Sequence, residues 1–166
     1  MGKRRKSYEP QPFEHDPRYK QVSGAHNTAF LQLYESMLMS LAYHKLSPRA
    51  MMLYNYCKLQ QYRQKPEDKR EYPEEYRRDH QFFVMNKARW QKLYKLYTNP
   101  QSFYDDMSLL IHYGFIDCVE CGHNTREKTL YKFSHRWTVY GTSEYCVPEE
   151  VKTSAYRQRE ARGFFS

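Results

Sequence analysis

The sequence lacks the features that mark secreted and membrane-spanning proteins. Only four of its 166 residues are cysteines, which is too few for a disulfide scaffold, so we expect reduced thiols. Its apolar runs all fall short of the roughly 20 residues that cross a bilayer. The basic start Met1–Lys6 leads into a polar segment rather than into the apolar stretch of a secretory signal. We therefore expect a cytoplasmic protein with no membrane partner.

The sequence also lacks the short motifs of several enzyme classes. It has six glycines but no glycine-rich phosphate loop, no nucleophile elbow and no H-E-x-x-H zinc motif. Its seven histidines are scattered along the chain, although Cys–His chemistry assembled by folding stays open. We expect no enzymatic activity, no cofactor and no small-molecule substrate.

Basic residues, in contrast, are abundant. The chain has 27 Lys and Arg against 19 Asp and Glu, a net charge of +8 and a pI near 9.2. Because Lys and Arg neutralise phosphate, this balance favours a polyanionic partner such as a nucleic acid. The excess lies at the N-terminus, around Lys87–Lys95 and near residues 126–132, whereas Arg63–Asp79 is neutral overall.

The length predicts one domain with tails, since a domain usually takes about 100 to 200 residues. Residues 1–27 contain three prolines and no apolar periodicity, which is typical of a flexible basic arm. Residues 28–141 form the expected domain, with an exposed charged loop at 64–81. The C-terminal tail, 142–166, has a basic segment that could form a helix over 153–162 and contact DNA, a partner or nothing.

Two helices are predicted before the centre of the chain. Ser47 and Pro48 are a typical N-cap and first helical residue. A stripe from Ala50 through Cys57 to Gln61 or Tyr62 indicates about four turns. After a short strand at 82–85, a second helix is expected from Lys87 to about Leu96. Its buried stripe would be Trp90, Leu93, Tyr94 and Tyr97, leaving Lys87, Arg89, Lys92 and Lys95 toward solvent.

A third helix follows after a tight connection, which makes a helix-turn-helix. It begins at Asn99-Pro100, buries a stripe that includes Phe103 and Leu110, and ends at Tyr113-Gly114, where glycine fits a positive φ. Residues at the start of a recognition helix reach base edges in the major groove. The predicted base readers are Gln101 and Ser102, with Tyr104 as a phosphate or thymine contact.

An acidic pair in the same helix argues against strong DNA binding, because Asp105 and Asp106 would repel phosphate. Either carboxylate could accept from cytosine, and Asp106 could instead point toward the preceding helix. A helix pair with a purely structural role is the alternative.

A basic hairpin is predicted after this helix, with strands near 115–120 and 129–133 and a polar tip between them. His123, Asn124, Arg126, Lys128 and Lys132 suit a hairpin that lies on phosphates or in a minor groove. An ordinary solvated hairpin is the alternative.

The sequence Cys118-Val119-Glu120-Cys121-Gly122-His123 raises the question of a metal site, because zinc prefers thiolate and imidazole ligands. The ligand set is incomplete unless folding adds His123, His135 or Cys146. In an extended strand Cys118 and Cys121 would point to opposite faces. We therefore expect no metal.

The order of these motifs resembles a family of small winged helix-turn-helix proteins carried by bacterial plasmids, prophages and integrative conjugative elements. The resemblance covers about residues 28–141 and depends on Leu46–Ala50, Leu53-Tyr54, Phe103, Leu109-Leu110, Tyr113–Ile116, Leu130–Ser134 and Arg136-Trp137. The acidic pair and the 64–81 insertion depart from the family pattern.

The resemblance implies a mainly α fold with a small β-hairpin, an α+β winged helix. It also implies double-stranded DNA binding in a bacterial cytoplasm, as a transcriptional regulator or a replication accessory or initiator protein. Whether the chain acts as a homodimer stays open. The alternative is a protein-interaction module on the same scaffold. The DNA-contacting residues expected on this basis are Lys87, Arg89, Lys92, Gln101, Ser102, Tyr104, His123, Asn124, Arg126, Lys128 and Lys132.

Overall fold

The computed structural model describes residues 31–60, 81–122 and 128–165. Within them the chain is a mixed α+β body, which confirms the expected class. Its elements in chain order are α1 (Glu35–Leu38), α2 (Leu41–His44), α3 (Pro48–Leu59), β1 (Phe82–Val84), a π-helical segment (Ala88–Leu93), α4 (Pro100–His112), β2 (Ile116–Glu120), β3 (Leu130–Phe133), two 3₁₀ turns (Arg136–Val139 and Glu149–Val151) and α5 (Ser154–Ala161). The expected basic arm at 1–27, the 64–81 loop except its last residue, and the hairpin tip at 123–127 lie outside the described residues.

Helix α3 begins as its sequence predicts. The Ser47 hydroxyl accepts the Ala50 N–H at 3.1 Å, and Pro48 takes the first helical position, where a missing N–H costs nothing. The residues Ala50, Leu53 and Cys57 are buried. The helix ends at Leu59, about one turn earlier than expected.

The strands form one antiparallel sheet of order β1-β3-β2. In this sheet Phe83 lies opposite Tyr131, and Cys118 lies opposite the same residue from the other side. The sequence predicts β1 as a strand and the hairpin separately, but not that β1 pairs with the hairpin. The small hairpin of the expected fold is therefore a three-stranded sheet with β3 at its centre.

The prediction of an α-helix over residues 87–96 is wrong in both helix type and length. It is a π-helical segment of six residues, and the chain leaves it through Lys95, whose φ of +53° is left-handed. A π-helix places fewer turns over the same residues than an α-helix, so the faces predicted from a 3.6-residue period shift. Trp90 is buried as expected, but Leu93 is 39% exposed.

Helix α4 has the limits that the sequence predicts. The Asn99 side chain accepts the Gln101 N–H at 2.8 Å, Pro100 takes the first helical position, and the last residue is His112. The chain then turns through Gly114, whose φ of +81° confirms the expected left-handed conformation.

Arg136 ties the end of α4 to the sheet. Its guanidinium donates to the Ile111 carbonyl at 2.9 Å and to the Asp117 carboxylate at 2.6 Å, and it also reaches the Cys146 carbonyl at 3.3 Å. The Ile111 carbonyl in the last turn of α4 also accepts the Gly114 N–H at 3.1 Å, so this arginine adds a second donor at the helix end. It thereby fixes where β2 starts relative to α4.

The core lies between the helices and one face of the sheet. Its buried side chains include Leu53 of α3, Phe83 of β1, Phe103 and Leu110 of α4, and Tyr156 of α5. Within the described residues no helix has the length and apolarity needed to cross a bilayer.

Candidate nucleic-acid interface

Helix α4 presents only a narrow stripe to solvent. Phe103, Met107, Leu110 and Ile111 are buried, as their spacing predicts. In the first two turns Gln101 and Tyr104 are exposed, and Ser102 is half-buried. The residues predicted to read bases therefore lie at the accessible end of the helix.

The carboxylate of Asp106 points into the protein. The side chain is 1% exposed and accepts from Arg49 Nε at 2.5 Å, from a second Arg49 nitrogen at 3.2 Å and from the Tyr97 hydroxyl at 2.7 Å. Arg49 comes from α3, so the pair joins α3 to α4. A buried carboxylate needs such partners, because an uncompensated charge in the interior is very costly.

The neighbouring Asp105 is paired on the other side of α4. Its carboxylate accepts from Arg159 Nε at 2.5 Å and from the Gln101 amide at 3.2 Å. Arg159 is only 5% exposed. Both members of the acidic pair are thus opposed by arginines, so the charge that argued against phosphate binding is compensated within the protein.

Helix α5 packs against α4. Besides its contact with Asp105, Arg159 donates to the Gln101 carbonyl at 3.2 Å. Farther along, Tyr156 is hydrogen-bonded to His112 Nδ1 at 3.0 Å, and the Phe165 ring stacks on His112 with centroids 4.4 Å apart. The C-terminal segment left open by the sequence therefore packs on the helix predicted to bind DNA.

A groove of about 450 Å³ opens beside the exposed end of α4. We call it the α4 groove and define it by Lys87, Gln101, Tyr104, Lys128 and Gln158 around its polar part. Aromatic and thioether side chains line its apolar part, namely Trp90, Phe103, Met107 and Tyr131. It brings together four of the predicted DNA-contacting residues from the β1–π-helix connection, α4 and the hairpin.

The other predicted DNA-contacting residues lie elsewhere. Lys132 lies on the outer face of the sheet with its ammonium 5.4 Å from the centre of the Phe82 ring. The Arg89 guanidinium donates to the Val84 carbonyl at 2.6 Å, which suits a role in holding the π-helical segment. Lys92 is exposed on that segment but does not line the groove. His123, Asn124 and Arg126 lie outside the described residues.

The expectation that the side chains of Cys118 and Cys121 point to opposite faces of the strand is wrong. The Cys118 and Cys121 sulfurs do not diverge to opposite faces but lie 3.0 Å apart. The ladder shows the reason: Cys118 pairs with Tyr131 and Glu120 pairs with Leu130, so Val119 is an extra residue in a β-bulge. One inserted residue reverses the alternation of faces that follows it. Within residues 31–60, 81–122 and 128–165, no group of three or more His, Cys, Asp or Glu side chains could hold a metal.

Sequence reasoning missed Arg49, Arg159 and Gln158 at this site. Arg49 follows a helix start and Arg159 lies in a polar segment, where an arginine ordinarily faces solvent. The buried residues of α5 are Tyr156 and Arg159, which are three residues apart and therefore lie on one face of the helix. This spacing is the local signal for a packed face that the sequence contains.

We expect acidification to weaken the packing of α5 on α4, because the half-buried His112 side chain between them takes up a proton. Burial lowers the pKa of His112 below 6.5, outweighing the raising effect of Glu160, while Arg136 adds to the lowering. The unfolded chain thus takes up this proton at a higher pH than the folded chain. The contribution of His112 to stability is complete above pH 6.5 and is lost as the pH falls from 6.5 through the folded-state pKa.

Urea unfolding between about pH 7.5 and about pH 5.5 measures this loss. We expect the free energy of unfolding to fall less in His112→Gln than in the wild type. After correction for the intrinsic exchange rate at each pH, the protection of the α5 amides should also fall with acid in the wild type only. His44→Gln, which changes an exposed residue of α2, is the matched control, and equal pH dependence in all three proteins would contradict the assignment.

Comparisons of the chain with protein-family models, with curated proteins and with solved structures found no match.

Proposed function

We propose that the chain binds double-stranded DNA through a winged helix. The support is the order of its elements: α3, β1, a short helical segment, α4 and then the β2–β3 hairpin, with β3 between the other two strands. In this arrangement α4 is the recognition helix and the hairpin is the wing. Because one fold can serve many functions, the support for DNA binding has to come from the residues of the α4 groove.

The observation that carries the proposal is the convergence of Lys87, Gln101, Tyr104 and Lys128 on one groove. The two lysines come from different elements, and both line the groove, where they suit phosphate contacts. The Gln101 amide can donate to and accept from base edges in the major groove. Because arginines compensate Asp105 and Asp106, the helix can approach a polyanion.

In this proposal the protein acts in a bacterial cytoplasm as a transcriptional regulator or as a replication accessory or initiator protein of a mobile element. Gln101 and Tyr104 select the site, and Lys87 and Lys128 provide the electrostatic part of the affinity. A homodimer would place two α4 helices on successive major grooves, about 34 Å apart.

A fluorescence-anisotropy salt titration with random duplex and with DNA from the source element tests the proposal. We expect binding at low salt, and tighter binding to the source DNA. The double variant Lys87→Ala with Lys128→Ala should lose at least about tenfold in affinity, and its slope of log K against log salt should flatten by roughly 2.

Lys45→Ala is the matched control, because Lys45 is an exposed lysine at the end of α2 and should leave both quantities unchanged. Absence of binding at low salt, or binding without salt dependence, would overturn the proposal. Those results would instead favour the protein-interaction module, for which the charge changes would leave function intact.

A further inference from the structure

Two of the four cysteines form a close pair at the base of the hairpin. The sulfurs of Cys118 and Cys121 lie 3.0 Å apart, so the two thiols are in direct contact and either could donate to the other. Cys57 is buried in α3, and Cys146 is exposed in the segment before α5. These two provide internal comparisons for the pair.

The pair is asymmetric in its access to solvent. Cys118 is 3% exposed and faces the core side of β2, whereas Cys121 is exposed at the edge of the α4 groove. Burial and the hydrogen bond with Cys121 both raise the pKa of the Cys118 thiol, so it keeps its proton beside its neighbour. An external reagent therefore meets Cys121 first, and Cys118 lies behind it.

The surroundings of the pair suit thiol chemistry better than a cation. The positive charge of Arg157 acts on Cys118, although burial keeps the net direction of the Cys118 pKa upward, and a positive charge beside the pair disfavours a metal ion there. The Cys121 sulfur also lies 3.8 Å from the Lys152 carbonyl oxygen. The described residues offer no third protein ligand, and a structural zinc takes four.

We propose that Cys118 and Cys121 are a site of reversible disulfide formation, oxidised by a low-molecular-weight disulfide such as glutathione disulfide. The Cys121 thiolate attacks one sulfur of the reagent, so a mixed disulfide forms and one glutathione thiolate leaves. The glutathione thiolate released beside the pair takes up the Cys118 proton, and the Cys118 sulfur attacks the Cys121 sulfur. The second glutathione thiolate leaves as the protein disulfide closes, so two protein thiols are oxidised and one reagent disulfide is reduced.

The bulge at Val119 is what permits this reaction. Without the extra residue the two side chains would leave β2 on opposite faces, and no disulfide could join them. A disulfide needs a sulfur separation of about 2.05 Å, so closure moves the sulfurs together by about 1 Å. Cys121 directly follows Glu120, the last residue of β2, and so lies just beyond the strand. The proposal is independent of what the α4 groove binds.

The test uses the full reduced chain in glutathione redox buffers, followed by alkylation and mass spectrometry. We expect the wild type to lose two hydrogens, with the bond mapped to the Cys118 and Cys121 peptides and reversed by dithiothreitol. Cys57 should become alkylated only after denaturation, and Cys146 should react as a single thiol.

Variants separate the roles of the two sulfurs. Cys118→Ser should stop at one glutathionyl group on Cys121, and Cys121→Ser, which alters an exposed side chain, should form no intramolecular bond. Cys146→Ser is the matched control and should close like the wild type. Accumulation of the mixed disulfide on Cys121 in the wild type, or stoichiometric zinc that shields both thiols until a chelator is added, would overturn the proposal.

Discussion

Replacing Gly114 by alanine should be among the most destabilising single changes in this protein, at about 4 kcal/mol. Gly114 has a φ of +81°, which costs an L-residue about 1 to 2 kcal/mol. An added Cβ would also lie 2.5 Å from the Trp137 nitrogen and 2.7 Å from the Arg136 carbonyl carbon. Both are backbone atoms, so relief requires moving the segment that carries Arg136 away from the end of α4.

That movement would break a hydrogen bond as well. The Trp137 N–H donates to the Gly114 carbonyl at 3.1 Å, and Arg136 links the same region to Asp117 and Ile111. A typical domain has only about 5 to 15 kcal/mol of stability in total. We therefore expect Gly114→Ala to express poorly, or to unfold at a much lower urea concentration than the wild type.

Gly141→Ala is the matched control, because the chain offers a second glycine with nearly the same backbone. Its φ is +86°, but an added Cβ would meet only the Leu41 Cδ2 atom at 2.9 Å. Since Leu41 is an exposed side chain that can rotate, the cost should be the conformational part alone, about 1 to 2 kcal/mol. Equal losses in the two variants would show that the contact with Trp137 and Arg136 does not matter.

Replacing Arg49 by methionine should destabilise the protein by about 2 to 3 kcal/mol. Among the described residues, the change leaves the buried Asp106 carboxylate with the Tyr97 hydroxyl as its remaining side-chain partner. Breaking a fully buried ion pair in this way costs about 3 to 5 kcal/mol. The Arg49 side chain is 48% exposed, so water can partly replace it, and the expected loss is discounted accordingly.

Adding Asp106→Asn to Arg49→Met tests whether the loss of stability comes from a buried Asp106 charge that has lost its arginine. In the double variant the asparagine carries no charge and keeps a similar volume, so most of the stability lost in Arg49→Met should return. Arg162→Met removes an exposed arginine and should change stability by less than about 0.5 kcal/mol. Chemical denaturation of the wild type, the two single variants, the double variant and Arg162→Met measures these differences, and additive losses in the double variant would contradict the assignment.

The sequence predicts local features of this fold well because their causes are local. Ser47 and Asn99 cap their helices through side chains that reach only two or three residues ahead. Gly114 is recognisable because few other residues accept its φ. The sequence likewise predicts that α4 begins with exposed residues, and it predicts Lys87 and Lys128 of the α4 groove as DNA contacts.

The features that the sequence does not predict depend on distant residues. Phe82 pairs with Lys132, and Arg159 pairs with Asp105. Each contact joins positions about 50 residues apart, for which no periodicity gives a sign. The bulge at Val119 is also set by how β2 meets β3, so the cysteine faces could not be read from strand alternation.

The central place of β3 has a consequence for how the chain folds during synthesis. Both β1 and β2 bond to β3, yet β3 is the last of the three strands to leave the ribosome. Until residue 133 has emerged, Phe82–Val84 and Ile116–Glu120 have no ladder partner within this sheet. Sheet formation is therefore a late, long-range event that follows α3 and α4, and its apolar strands depend on prompt closure to avoid aggregation.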